Sequence, residues 1–268
     1  MEKINLNNNI QMPAMGIGGW SQKKDAILEA LSIGYRLIDT AAQYGNEAEV
    51  GAAIKESGIE REKIFLVTKL WTQDIRDRRV RAAFMESLQR LDTDYVDLYL
   101  IHWPAEGFEE AWLEMEELYK EGKIKAIGVS NFEPHHLEAL VDAGATVVPA
   151  VNQVESHPYF SNKDVIEYCR KHGIVPEAWC PLGGPGSSEL KDERIQSIAE
   201  RHHKTTAQII LRWHLQRGVV TIPKSSKLER MKQNFDVFDF LLSDEDMSLI
   251  NSLDCGKRLG AHPDTFDF

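Results

Sequence analysis

The chain is short of cysteine, with only Cys169, Cys180 and Cys255 among 268 residues and no CxxC pair. So sparse and odd a set excludes a disulfide framework and a thiolate metal centre, and fits free thiols in a reducing compartment. No apolar run approaches the roughly 18 residues of a membrane helix. The opening "MEKINLNNNIQMP" lacks the apolar centre of a signal peptide, so a cytoplasmic protein with no membrane contact is expected. Positive charge is in deficit, 31 Lys and Arg against 42 Asp and Glu, for a net charge of −11. That argues against general binding of nucleic acid, yet leaves room for a local anion pocket. No GxGxxG follows the first strand; "GIGGW" (16–20) does not fit, so a Rossmann nucleotide fold is not indicated. No Pro/Gly/Ser-rich linker divides the chain, which reads as a single domain over residues 1–268.

What is present is a repeated alternation. Short apolar runs at 15–18, 35–39, 63–69, 95–102, 124–130, 148–155, 173–180 and 218–223 read as strands. Between them lie helical stretches at 22–33, 46–57, 75–91, 107–122, 134–144, 161–172, 190–203 and 226–234. Asn46 is placed to cap its helix, Gly58 to stop it, and Pro134 sits in a first turn. The strands are continuous apolar runs, the mark of a parallel sheet covered on both faces. Eight such units in about 250 residues predict an α/β fold, a (β/α)8 TIM barrel. "KINLNNNIQMP" (3–13) precedes the first unit and predicts a β-hairpin capping the barrel bottom.

In such a barrel the active site lies at the C-terminal strand ends. Three successive strands there end in ionisable groups: Asp39 after "YRLI", Lys69 after "IFLVT" and His102 after "VDLYLI". Tyr44 follows Asp39 by a short loop. Neighbouring strands lie about 4.8 Å apart, so the four should share one rim. An isolated Asp or His at a strand end is usually a satisfied hydrogen-bond partner; three in register beside a tyrosine make a constellation. A phenol has an ordinary pKa of about 10. A nearby ammonium lowers it, while Asp39 holds the lysine. The set suits delivery of a proton from Tyr44 to a carbonyl oxygen, with His102 orienting that oxygen. A hydride donor must then come from a cofactor. The loops "PLGGPGSS" (181–188) and "IPKSSKLERMKQN" (222–234) offer phosphate-binding groups, with Lys224, Ser225 and Arg230 at or near a helix N-terminus.

Two other classes of function compete: a Schiff-base lyase or aldolase with Lys69 as nucleophile, and a non-catalytic dinucleotide-binding module that senses redox state. Asp39 beside Lys69 would keep it protonated, and neither rival uses all four rim residues together with the second loop. His135–His136 and His202–His203 do not read as metal sites, because adjacent helical residues do not share a face. His157–Pro158 reads as shaping a turn.

Residues 34–51, "GYRLIDTAAQYGNEAEVG", and the stretch 222–234 resemble the two signatures of the aldo-keto reductases, and "TKLW", "IHWP", "GVSNF" and "NQVESHPY" match in order between them. The resemblance spans nearly the whole chain, and the ending is similar to the short bacterial reductases related to diketogluconate and methylglyoxal reductases. It implies that Tyr44 is the general acid, assisted by Asp39, Lys69 and His102. It implies NADPH/NADP+ as cofactor, with Ser130, Asn131 and Gln153 on the nicotinamide carboxamide and Trp179 stacked on the ring. Cys180 replaces the family's common serine. Leu182 and Gly183 would line the pyrophosphate channel, Lys224, Ser225 and Arg230 would bind the 2′-phosphate, and Asn234 the adenine. Trp20, Trp71 and Trp103 would line the substrate pocket. The resemblance further implies a monomer acting on small-molecule carbonyl substrates. The short segment after "HWP" and the short C-terminal tail predict an open site with modest selectivity for small aldehydes and ketones.

Overall fold

The computed structural model describes residues 2–184 and 187–266. Two short antiparallel strands, β1 (Lys3–Asn5) and β2 (Gln11–Pro13), form the expected hairpin with Ile4 opposite Met12. Eight parallel strands follow: β3 (Ile17–Gly18), β4 (Leu37–Asp39), β5 (Phe65–Leu70), β6 (Leu98–Ile101), β7 (Ile127–Ser130), β8 (Val151–Glu155), β9 (Val175–Trp179) and β10 (Val220–Thr221). They lie side by side in chain order, and the two edges meet. Met15 bridges Thr221, and Gly16 N–H donates to the Thr221 carbonyl at 2.8 Å. The sheet is thus a (β/α)8 barrel of the TIM type, without an open edge to manage.

Strand register divides side chains into two sets. The inward row reads apolar low in the barrel: Leu37, Phe65, Val67, Leu98, Leu100, Val151, Val175 and Val220 pack together, with Leu6 and Met12 of the hairpin closing that end. The outward row packs against the surrounding helices, with Tyr99, Ile101 and Val129 set among Phe84, Trp112, Met115 and Phe132. Among the described residues, no helix is long and apolar enough to cross a membrane.

The helices differ from expectation at several places, among them an additional helix, Asp244–Asn251, after the last expected one. The stretch 75–91 is two helices, Thr72–Arg76 and Val80–Leu91, because Arg78 turns into left-handed backbone (φ 53°) and Arg79 N–H closes the turn on the Asp74 carbonyl at 2.8 Å. Two helices, not one, precede β10: Glu193–His202 ends at left-handed His203, and Thr206–Gln216 then begins with a capping box between Thr205 and Gln208. Asn46 stands at the N-cap position, but its side chain does not cap. Its Oδ1 accepts from Thr40 Oγ1 at 2.8 Å and its Nδ2 donates to the Gly19 carbonyl at 2.8 Å, tying the loops after β3 and β4 together.

Candidate active site

The inward row turns polar at the top of the barrel. Asp39 ends β4 with Val67 as its register partner, so Lys69, two residues further along β5, points to the same interior. Lys69 pairs in register with Leu100, and His102 follows two residues later. Lys69 has no solvent exposure. Its ammonium donates to Asp39 Oδ1 at 2.7 Å, Asp39 Oδ2 at 2.8 Å and the Thr40 carbonyl at 2.9 Å, and it also hydrogen-bonds the Tyr44 side chain. Tyr44, on a one-turn helix Ala42–Tyr44, brings its ring to 5.1 Å from the Lys69 nitrogen and 5.7 Å from the His102 ring. The four groups expected to share a rim do meet around one point.

Electrostatics here are set by burial as much as by charge. Burial pulls the Lys69 pKa down, but the Asp39 carboxylate and the Tyr44 phenol reverse that and leave it raised, so the ammonium is secure at neutral pH. Burial pushes the Tyr44 phenol up, and the Lys69 ammonium only partly offsets it. The lysine thus moderates the phenol without bringing it below its ordinary value. The phenol keeps its proton through the neutral range. Burial and the Lys69 charge together hold His102 well below the ordinary histidine value, so its imidazole is neutral.

Asp39, Tyr44 and His102 border a cavity of about 490 Å³. Of the expected cofactor residues, Ser130, Asn131, Gln153, Trp179, Cys180 and Lys224 line it, together with Asp39, Tyr44 and His102. Asn131 is already engaged: its Nδ2 donates to the His102 carbonyl at 3.0 Å and its Oδ1 accepts from Trp179 Nε1 at 2.8 Å. It fixes two residues of the site relative to each other. Gln153 Nε2 donates to Asp39 Oδ2 at 2.9 Å, which leaves its amide oxygen as the acceptor for a ligand. Leu182 instead packs into the outer core, and Gly183 sits in a turn against Ser187 and Glu189, while Pro185 and Gly186 of the same loop lie outside the described residues. Ser225 is buried with its hydroxyl accepting from Lys227 N–H at 3.2 Å, and Asn234 is buried in the helix Leu228–Phe235. Lys224 and Arg230 are exposed, and neither pairs with a carboxylate among the described residues. Lys224, Arg230 and the helix N-terminus between them are groups that suit an anionic ligand.

Of the three tryptophans, Trp20 (59% exposed) and Trp103 line the cavity. Trp71 stands edge-on to His102 at 5.2 Å, set back from the space.

The C-terminal tail, short as it is, supplies part of the pocket wall. Leu259 and Gly260 line the cavity, and Phe266 stacks on Trp103 with ring centres 4.0 Å apart. Glycine is required at 260, because a Cβ there would lie 2.5 Å from Trp179. The tail is held by a buried charge cluster that joins segments far apart in the chain. Glu155 accepts the Gly260 N–H at 2.9 Å and faces His157 Nε2 at 3.0 Å, while His157 Nδ1 meets Glu189. Burial opposes charge on His157, yet the two carboxylates raise its pKa to about 9. His157 therefore does more than shape a turn: it joins the cofactor-side loop to the tail.

The tail also brings Asp264 to the His135–His136 pair, within 3.1 Å of His135 Nε2. The two histidines thus share a partner after all. Yet His136 Nδ1 accepts the Glu133 N–H at 3.1 Å, which puts the ring proton on Nε2 and leaves that nitrogen without a lone pair for a metal.

The family model described as "Aldo/keto reductase family" matches residues 14–254. The chain is 47% identical to the glyoxal reductase of Bacillus subtilis (strain 168) over 273 residues, covering 100% of this chain and 98% of that one. It is 44% identical to methylglyoxal reductase DkgA of Escherichia coli (strain K12) over 270 residues, covering 98% and 97%. Among solved structures, MGS-M4, an aldo-keto reductase enzyme from a Medee basin deep-sea metagenome library, superposes with a TM-score of 0.95 at 46% identity, covering 99% of this chain and 100% of that chain.

Proposed function

This chain belongs to the aldo/keto reductase family, and we propose that it reduces small aldehydes and ketones to alcohols with NADPH in the cytoplasm, acting as a monomer. The observation that carries the reading is that Asp39, Tyr44 and His102 line one cavity with Trp179, while Lys69 is buried behind them on Asp39 and beside Tyr44. NADPH, when bound, supplies the hydride that reaches the carbonyl carbon. The residues that would hold it are Trp179 against the ring, Ser130, Asn131 and the Gln153 oxygen near the carboxamide, and Lys224 and Arg230 at the 2′-phosphate.

The protein's own part is the proton. The Tyr44 phenol, kept protonated by burial, stands ready as the acid. Lys69 favours the phenolate left after proton delivery, and Asp39 holds the ammonium at its place. His102 is neutral and hydrogen-bonds the substrate oxygen rather than protonating it. The tail residues Leu259 and Gly260 and the ring pair Trp103–Phe266 wall the substrate side and limit the size of what enters. Relatives named for glyoxal and methylglyoxal reduction support small dicarbonyls as first candidates.

A Schiff-base reaction at Lys69 is disfavoured by the same geometry. An imine-forming lysine must present a free amine, whereas Lys69 is fully bonded and its pKa is raised. The test is consumption of NADPH and of NADH with a panel of glyoxal, methylglyoxal and larger aldehydes and ketones. Turnover with NADPH on the small dicarbonyls is expected. No cofactor consumption with any member would refute the reading.

A further inference from the structure

Glu177 is a carboxyl group that the reaction described above does not use. It lies on β9 with no solvent exposure, in register with Gln153 of β8 and Val220 of β10. The Gln153 amide nitrogen donates one hydrogen bond to Glu177 Oε2 at 3.0 Å and another to Asp39 Oδ2 at 2.9 Å. The amide therefore bridges two carboxyls. Only one of them has a cation as a hydrogen-bond partner: the bonds of Lys69 go to Asp39, Thr40 and the Tyr44 side chain. Oε1 of Glu177 has no hydrogen-bond partner among the described residues. An ionised carboxylate in that position would be buried with one neutral donor and a like charge beyond it, which is costly.

We propose that Glu177 is a positioning residue of the reductase: as a neutral carboxylic acid it fixes the Gln153 amide, and through that amide the orientation of Asp39 and hence of Lys69 beside Tyr44. Gln153 then presents its oxygen to the cofactor side and its nitrogen to the two acids, in one orientation. The charged groups facing Glu177 are Asp39 from β4 and Lys69 from β5, with uncharged Gln153 and Val220 on its own flanks. Burial, followed by the Asp39 charge, raises its pKa to about 8. Ionisation above that value adds a negative charge that acts on Asp39 and Lys69, so the ammonium is drawn toward the acids and supports the Tyr44 phenolate less, which slows proton delivery.

The kinetic half of this inference rests on the reductase reading; its structural half does not. Turnover at saturating NADPH and methylglyoxal is measured across pH for wild type, E177Q and E177V, and the carboxylic-acid carbonyl band is recorded by infrared spectroscopy. Wild-type turnover is expected to fall as pH rises through about 8. E177Q, which mimics the neutral acid, is expected to stay level there. E177V, which frees the amide, is expected to be slower than E177Q at neutral pH by about tenfold, the scale of a small misplacement. The band of a buried protonated acid should be present in wild type at neutral pH, vanish as pH rises, and be missing in E177Q. Superimposable profiles for wild type and E177Q, or equal impairment of E177Q and E177V, would overturn the proposal. So would absence of the band at neutral pH, which decides the matter even if E177V does not fold or the wild type reduces no carbonyl.

Discussion

Phe65 and Lys69 occupy the same inward row at opposite ends of β5, and the barrel treats them in opposite ways. Phe65 joins Leu37, Leu98, Val151 and the hairpin residues Leu6 and Met12 in an apolar plug. Lys69 is buried as completely, but every N–H group it has is matched to an acceptor. The same change of character runs along neighbouring strands, from Leu98 and Leu100 to His102 and from Val175 to Glu177. The lower end is held by area removed from water, which is non-directional and tolerant of shape-conserving exchange. The upper end is held by specific pairs, where loss of one partner strands the other. Stability and chemistry are thus separated along single strands.

The comparison is broken most severely at its upper end. Lys69→Met keeps much of the apolar stem but leaves Asp39 without its cation. Its kcat should fall by ~10²–10³-fold, the scale of losing one preorganised charge. Equilibrium unfolding would show a stability loss as well, of ~3–5 kcal/mol. At the lower end Phe65→Ala should cost a similar ~3–5 kcal/mol in urea unfolding, with kcat per folded molecule within about twofold of wild type. A large kcat defect in Phe65→Ala would show that the two ends are not separable.

The His157 cluster sharpens the contrast, because it uses buried charge for structure rather than chemistry. Its pKa is raised from 6.5 to about 9, so its contribution is fully present below 6.5 and is lost as pH rises through about 9. That window is worth roughly 3 kcal/mol. Urea midpoints measured on both sides of it should drop with rising pH in wild type and change less in His157→Gln; equal slopes would remove the histidine from the account. The smallest effect is at the exposed cations. Arg230→Ala should weaken NADPH about tenfold and leave NADH nearly untouched, as one charge-assisted contact is lost. Equal weakening of both cofactors, by fluorescence titration, would remove the 2′-phosphate role.

The barrel was legible because a parallel sheet writes each strand as an uninterrupted apolar run, and the hairpin because its pattern stops before the first unit. Asp39, Lys69 and His102 were legible because each interrupts such a run at its end. Glu177 interrupts one too, in "GIVPEAWC", two residues before Trp179 and on the same face. A buried acid in an otherwise apolar run is thus itself a readable signal. The helix Thr206–Gln216 also carried a readable start in its Thr205–Gln208 box. Other features depend on contacts between residues far apart in the chain. The path of the tail is set by Glu155 on Gly260 and by Phe266 on Trp103, and no local pattern encodes either. The balance at Tyr44 is hidden for the same reason: sequence shows the neighbouring charge, but not how deeply the phenol is buried.

The most direct test of the upper rim is Tyr44→Phe, with kcat for methylglyoxal reduction and the dissociation constant for NADPH measured on the same preparation. The phenol and phenylalanine rings differ by one oxygen, so the fold and the cofactor site should persist. The account predicts a kcat lower by about 10³-fold with NADPH affinity within about twofold of wild type. Undiminished turnover, or a loss of turnover explained by lost NADPH binding, would contradict it.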